Sequence, residues 1–193
     1  MTAPEAPEVW MRGPVPGIPP LLQPAAHSLL QSLEEVRRIV TPLSTDALWA
    51  KPNGAPSVGF HLRHAAGSLD RLFTYARGAA LSAEQRGFLE SEGEPGSPPA
   101  GAVGLVAAFE GQVERALAQL RETPEPTLLE PRGVGRRQLP STVLGLLFHA
   151  AEHTQRHVGQ IVTTVRIPEK TGPAGRDSSP RRDDSSSEDR SWE

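Results

Sequence analysis

Four stretches of the chain carry apolar residues at alternating steps of three and four positions, which is the pattern of an amphipathic α-helix. They run along residues 22–40, about 57–77, 102–120 and about 141–166. The apolar stripe of the first stretch consists of Leu22, Ala26, Leu29, Leu33, Val36 and Val40. Four such faces can be buried against one another around one core. The pattern therefore predicts an all-α fold, a four-helix bundle.

Breaker residues separate these helices. Three pairs of proline and serine are expected to cap or open the second, third and fourth helices: Pro56-Ser57, Ser97-Pro98 and Pro140-Ser141. The segment STDALWAKP predicts one short helical turn before the second helix. No convincing strand pattern is present, although TLLEP and RRQLP are candidates for local pairing.

The two ends of the chain differ from the helical part. Residues 1–20 are predicted to be an irregular segment, and residues 21–167 the helical domain. Residues 168–193 carry charge, serine and proline with almost nothing to bury, which predicts a disordered tail.

Composition limits the classes of function. The 20 basic and 23 acidic residues give a net charge of −3, which argues against a broad nucleic-acid surface. No run of about 18 apolar residues exists, and the N-terminus does not resemble a signal peptide, so we expect a cytoplasmic protein without a membrane partner. Cysteine is absent, so any metal must be held by nitrogen and oxygen ligands.

Histidines carry the clearest chemical signal. His149, His153 and His157 are spaced four apart in the fourth helix, so successive imidazoles lie one turn apart on it. His61 and His64 lie together in the second helix. This arrangement predicts a metal site shared between the two helices. His27, alone on the first helix, is expected to be hydrogen-bonded or solvated.

Helix geometry ranks these candidates. At about 100° per residue, His157 lies about 80° from the centre of the apolar side, His153 about 120° and His149 about 160°. His153 and His157 are therefore the better ligand pair. In the second helix, the spacing leaves His61 and His64 as alternatives for a third nitrogen.

Three neutral imidazoles suit zinc, nickel, copper or ferrous iron. A site with three protein ligands leaves a coordination position open, where an ion can lower the pKa of bound water or of a thiol. Other polar residues of these helices are expected to have ordinary roles: Glu152 and Asp70 as solvated charges, Arg71 as a flank residue and Tyr75 as a packing residue.

Two segments, PSVGFHLRHAAGSLDRLFTYARG and LLFHAAEHTQRHVGQIVTTVR, resemble the second and fourth helices of the DinB-like superfamily. The resemblance covers roughly residues 9–167, and its most specific part is the HxxxHxGQI pattern that begins at His153. It implies a four-helix bundle in which His64, His153 and His157 hold a divalent ion. His61 and His149 are extra histidines, either outer groups that support the ligands or spectators.

The resemblance implies fold more firmly than function, because relatives include transferases and isomerases that use bacillithiol or mycothiol as well as members with no known reaction. The leading hypothesis is a metalloenzyme, a transferase or hydrolase, that activates water or a low-molecular-weight thiol against a small electrophilic substrate. Zinc or nickel is the first choice of metal, followed by iron or manganese. No catalytic residue is assigned, and a homodimer is the expected assembly. The alternatives are a non-catalytic bundle stabilised by metal, acting as a binding or stress-response protein, and a metal-free bundle.

Overall fold

The computed structural model describes residues 6–167, and within this range the chain is mostly helical. Four long α-helices are accompanied by two short ones and by one pair of strands. In chain order the helices are α1 (Gln23–Val40), α2 (Thr45–Trp49), α3 (Val58–Ala76), α4 (Ala83–Ser91), α5 (Ala102–Glu122) and α6 (Val143–Val165), and the strands are β1 (Pro131–Val134) and β2 (Leu139–Thr142).

The core lies between the four long helices. Each of them contributes fully buried side chains, such as Leu29 of α1, Leu69 of α3, Phe109 of α5 and Leu147 of α6. The contact between α3 and α6 is the most extensive, α3 also packs against α5, and α1 packs against α5 and α6. The predicted apolar stripes therefore face one another, and the helical character of the fold is confirmed.

Local hydrogen bonds explain where the helices begin. The Ser57 hydroxyl accepts a hydrogen bond from the Phe60 N–H at 3.1 Å, so the predicted cap of α3 is confirmed. The start predicted at Ser141 for α6 is wrong, because Ser141 belongs to β2 and Thr142 caps the helix through the Gly145 N–H. The Ser97-Pro98 signal also lies before the observed start of its helix. Three residues separate it from α5, and the last of them, Gly101, is the N-cap.

The hairpin of β1 and β2 departs from the all-α expectation. The antiparallel pair of β1 and β2 joins Pro131 to Thr142 and Val134 to Leu139, a register that differs from the pairing suggested for TLLEP and RRQLP. The turn between them needs left-handed backbone at Gly135 (φ 64°) and Gln138 (φ 50°). Proline and glycine in four-residue strands weaken the strand pattern, which explains why the sequence did not predict them.

Helix α4 is the second unpredicted element. It contains no buried residue, so it has no apolar stripe of the kind that identified the long helices. Its start is nevertheless encoded locally, because Ser82 and Gln85 form a reciprocal capping box. The short turn predicted before the second helix is confirmed as α2, which is capped by Ser44.

The predicted ends of the chain have different outcomes. The segment before α1 is irregular apart from two 3-10 turns, Val9–Arg12 and Pro20–Leu22. The predicted tail, residues 168–193, lies outside the described residues, and the division into three parts stays a prediction. None of the helices between residues 6 and 167 combines the length and the apolar character that crossing a bilayer requires.

Two neighbouring leucines test the inner and outer faces of the turn that leads into α1. Leu22 is fully buried, whereas Leu21 is 62% exposed. We expect Leu22→Ala to lower the free energy of unfolding by about 2–5 kcal/mol, because it leaves a cavity, and Leu21→Ala to change it by less than about 0.5 kcal/mol. Urea denaturation measures both, and equal effects would contradict the packing described.

Candidate metal centre

Three histidines converge between α3 and α6. One ring nitrogen from each of His64, His153 and His157 lies within 4.8 Å of the others. His64 and His157 are buried, each 8% exposed, and His153 is half-buried. The centre is thus embedded between the two helices and reaches the surface on the side of His153.

The helical repeat explains this convergence. His153 and His157 are one turn apart on α6, and their ring centroids are separated by 4.6 Å. His64 packs against both rings, while His61, one turn earlier on α3, packs against His157. The order of these contacts shows that the two helices run antiparallel.

The ring nitrogens meet in two pairs. His64 Nε2 lies 3.0 Å from His153 Nε2, and His61 Nδ1 lies 3.1 Å from His157 Nδ1. Two nitrogens that share a tetrahedral zinc ion are about 3.3 Å apart when each bond is about 2.0–2.1 Å. Both pairs are close to this spacing, so distance alone does not distinguish them; the group of mutually close ring nitrogens contains His64 and His153 but leaves out His61.

Glu92 is a member of the site that the sequence did not predict. It follows α4 directly, is 5% exposed, and has a carboxylate oxygen 2.5 Å from His64 Nδ1. A carboxylate only accepts hydrogen bonds, so this contact requires a proton on Nδ1. In a neutral His64 the lone pair is then on Nε2, the nitrogen that faces His153.

Arg71 accompanies Glu92 in the interior. Its Nη1 lies 3.2 Å from the second carboxylate oxygen, and the residue is only 4% exposed. It is therefore a buried ion-pair partner, which goes beyond the flank position expected for it. Because α4 lacks an apolar stripe, only the local capping signal of Ser82 and Gln85 pointed to the helix that brings Glu92 here.

The environment keeps three of the histidines, His61, His153 and His157, uncharged. Burial lowers the pKa of His153 to about 4 and the pKa of His157 to about 3, and the charge of His64 contributes in both cases. Burial also lowers the pKa of His61. At neutral pH these three rings are therefore neutral imidazoles, with one nitrogen lone pair free, and this is the state that binds a metal.

In contrast to these histidines, Glu92 is charged in this environment. Burial by itself raises the pKa of this carboxyl, but the hydrogen bonds and charges of His64 and Arg71 outweigh burial, and the net pKa is lowered. Glu92 therefore remains ionised at neutral pH and keeps its role as an acceptor.

His153 supplies the observation that tests whether these residues fit a metal. Its Nδ1 is buried and has no hydrogen-bond partner among residues 6–167. If Nε2 donates to His64, then Nδ1 is a buried acceptor without a donor; if the proton is on Nδ1, two Nε2 lone pairs face each other. A cation between the Nε2 atoms relieves the repulsion of the second arrangement, so the donor set fits a divalent ion.

The remaining predicted residues lie around this cluster. His149 is outside the triad, with a side chain that is 50% exposed and placed 3.4 Å from Glu152. Glu152 also accepts a hydrogen bond from Arg156 at 2.5 Å. His27, expected to be hydrogen-bonded or solvated, contacts the Gly13 carbonyl at 3.0 Å. The structure thus brings His64, His153 and His157 together, and their role as ligands stays a prediction.

Comparison with known proteins agrees with this architecture. The sequence model of the DinB superfamily matches residues 10–161. A conserved protein from Enterococcus faecalis, known from a crystal structure, is similar in fold: the TM-score is 0.62 at 18% identity, over 76% of this chain and 95% of that one. No curated protein matches the chain. The chain belongs to the DinB superfamily.

Removal of single histidines tests the ligand set. We expect His64→Ala, His153→Ala and His157→Ala each to lose the metal on dialysis, because three nitrogens are needed to hold it. His149→Ala and His27→Ala should keep about one ion per chain, because neither ring belongs to the cluster. Elemental analysis gives the metal content. Full metal retention by His153→Ala and His157→Ala would show that the assignment is wrong.

Glu92→Gln tests the support of His64. The amide keeps the size of the side chain but removes the charge that holds the proton on Nδ1, so we expect a loss of metal affinity of about 10–100-fold. Competition with a chromophoric chelator measures that affinity. Glu94→Gln is the matched control, since Glu94 is exposed and lies two residues further along. An unchanged affinity in Glu92→Gln would contradict this role.

Proposed function

We propose that this member of the DinB superfamily is a metal-dependent transferase or hydrolase that activates water or a low-molecular-weight thiol against a small electrophilic substrate. The observation that carries the proposal is the composition of the centre. Within residues 6–167, the cluster offers three imidazoles and no fourth protein ligand. Catalytic zinc sites have this composition, whereas structural sites are usually closed by a fourth protein ligand.

Zinc or nickel is the metal we propose, because neutral imidazole nitrogens suit both ions. Iron and manganese are the next candidates, and manganese is the weaker of the two because it prefers oxygen ligands. When bound, such an ion acts as a Lewis acid and lowers the pKa of water or a thiol toward neutrality.

The protein's own residues orient the donors. Glu92 holds the proton of His64 on Nδ1, so that Nε2 faces His153. His61 does the same for His157: when Nδ1 of His157 donates to Nδ1 of His61, the lone pair of His157 is on Nε2. Phe60 stacks on the His64 ring with centroids 5.5 Å apart and limits its rotation. These contacts fix the ligands before any substrate binds.

Substrate access is proposed on the side of His153. This ring is half-buried, and its neighbours His149, Glu152 and Arg156 bear exposed polar side chains. On the opposite side, His61 and His157 lie in the interior and exclude water. A small electrophile therefore approaches from one direction, which suits attack by a single activated nucleophile.

Rate measurements test the proposal. The purified protein, loaded with zinc or nickel, is assayed for conjugation of bacillithiol, glutathione or cysteine to chlorodinitrobenzene and for hydrolysis of nitrophenyl acetate. We expect a metal-dependent rate about tenfold or more above that of metal-stripped protein for at least one of these reactions, because the ion raises the fraction of ionised nucleophile.

Variants separate the outcomes. His153→Ala should abolish the rate together with the metal, and His27→Ala, which changes a histidine outside the cluster, should preserve both. If the protein retains its metal but accelerates no reaction in this panel, the proposal is wrong and a non-catalytic role of the metal in stabilising the fold is favoured. If it binds no metal, both roles are excluded.

A further inference from the structure

We propose that the protein has a second ligand site, separate from the histidine centre, that binds a small organic anion with an apolar body. The site is a cavity of about 700 Å³ enclosed by the end of α3, by α4 and by the turn of the β1–β2 hairpin. Pockets for small molecules commonly have volumes of about 300–1,000 Å³.

One feature of this cavity is its apolar wall. Five apolar or aromatic side chains from three separate parts of the chain line it, and each remains half-buried: Tyr75, Leu81, Leu89, Val134 and Leu139. When a ligand removes the remaining apolar surface of such side chains from water, the free energy of the system falls. The wall therefore favours a ligand with an apolar body.

The second feature is the charge at the rim. Arg86, Arg136 and Arg137 line the cavity together with a single carboxylate, Glu90, so three positive charges against one negative leave a net charge of +2. This contrasts with the net charge of −3 of the whole chain. Local charge of this sign attracts an anion.

The arginines of the turn are available for such a ligand. Arg136 and Arg137 are exposed at the tip of the hairpin and make no ion pair or side-chain hydrogen bond with residues 6–167. Arg86 donates one hydrogen bond, to the Leu81 carbonyl. Guanidinium groups bind carboxylate, sulfonate or phosphate oxygens through paired N–H donors. The rim therefore selects for an acidic group on the ligand.

Core packing accounts for only part of this arrangement, because Tyr75 and Val134 pack against the core, whereas Leu81, Leu89 and Leu139 are not among the half-buried residues that do so. Neither α4 nor the two strands contain a buried residue, yet the half-buried side chains of both elements point to a shared space. Half-buried apolar residues on two elements that add nothing buried to the core are typical of the wall of a binding site.

The cavity is distinct from the metal centre. None of its lining residues belongs to the histidine cluster. Tyr75 lies eleven positions beyond His64 on α3, a separation of about 16 Å along the helix axis. A test of the cavity can therefore succeed or fail independently of the proposed metal chemistry.

The probe is anilinonaphthalene sulfonate, which joins an aromatic body to an anionic group and fluoresces when it leaves water. We expect saturable binding at one site and affinity at least about tenfold weaker for neutral N-phenylnaphthylamine. The double variant Arg136→Ala/Arg137→Ala should weaken binding of the sulfonate by about tenfold, which corresponds to about 1.4 kcal/mol. The matched control is Arg37→Ala/Arg38→Ala, which removes two consecutive arginines of α1 that do not line the cavity. It should leave the affinity for the sulfonate within twofold of that of the natural chain.

Two further variants test the location. Leu89→Trp narrows the cavity without a change of charge and should weaken binding of the dye by about fivefold or more; Leu139→Trp serves the same purpose from the hairpin if the first variant does not fold. His153→Ala should bind the dye as the natural chain does. Equal affinities for the charged and neutral dyes, or unchanged affinity in Arg136→Ala/Arg137→Ala, would overturn the proposal. So would unchanged affinity in both folded tryptophan variants.

Discussion

The clustering of four imidazole rings between α3 and α6, three of them buried, is the constraint on which the rest of the structure depends. Polar rings at the most extensive helix contact displace apolar packing, and each buried nitrogen without a partner costs free energy. The rings meet this demand by facing one another in pairs, His61 with His157 and His64 with His153. Burial also keeps His61, His153 and His157 neutral, so the pairing of His61 with His157 adds no like-charge repulsion at neutral pH.

This constraint explains the presence of α4. The helix adds nothing buried to the core, but the residue that follows it, Glu92, fixes the tautomer of His64. A buried carboxylate needs compensation, and Arg71 on α3 supplies it from the same side. The side of α4 that faces the hairpin, with Arg86 and Leu89, lines the cavity. One short helix thus connects both polar regions of the molecule.

The sequence predicted what repeated patterns encode. Apolar steps of three and four identified the long helices, and the spacing of His153 and His157 indicated their shared face, because both follow from the geometry of one helix. Helix angles alone left His61 and His64 as alternatives, and the family resemblance was needed to favour His64. Glu92 was not predicted, since its position depends on how α4 packs against α3, and no periodic signal records a contact between segments 28 residues apart. The hairpin escaped detection because proline and glycine dilute the pattern of its short strands.

Charge balance at the centre supports the proposed chemistry over a role limited to cross-linking the helices. His153 and His157 are neutral, and the charges of Glu92 and Arg71 oppose each other. Residues 6–167 therefore offer no net negative charge within the cluster to neutralise a divalent ion. With such a donor set, the positive charge of the ion is neutralised by a group from solution. Anions such as hydroxide or thiolate neutralise that charge best. Thiolate-rich structural sites neutralise the charge of their ion with their own ligands. This chain has no cysteine, which is consistent with the proposal that an anionic nucleophile binds at the exposed side of the centre near His153.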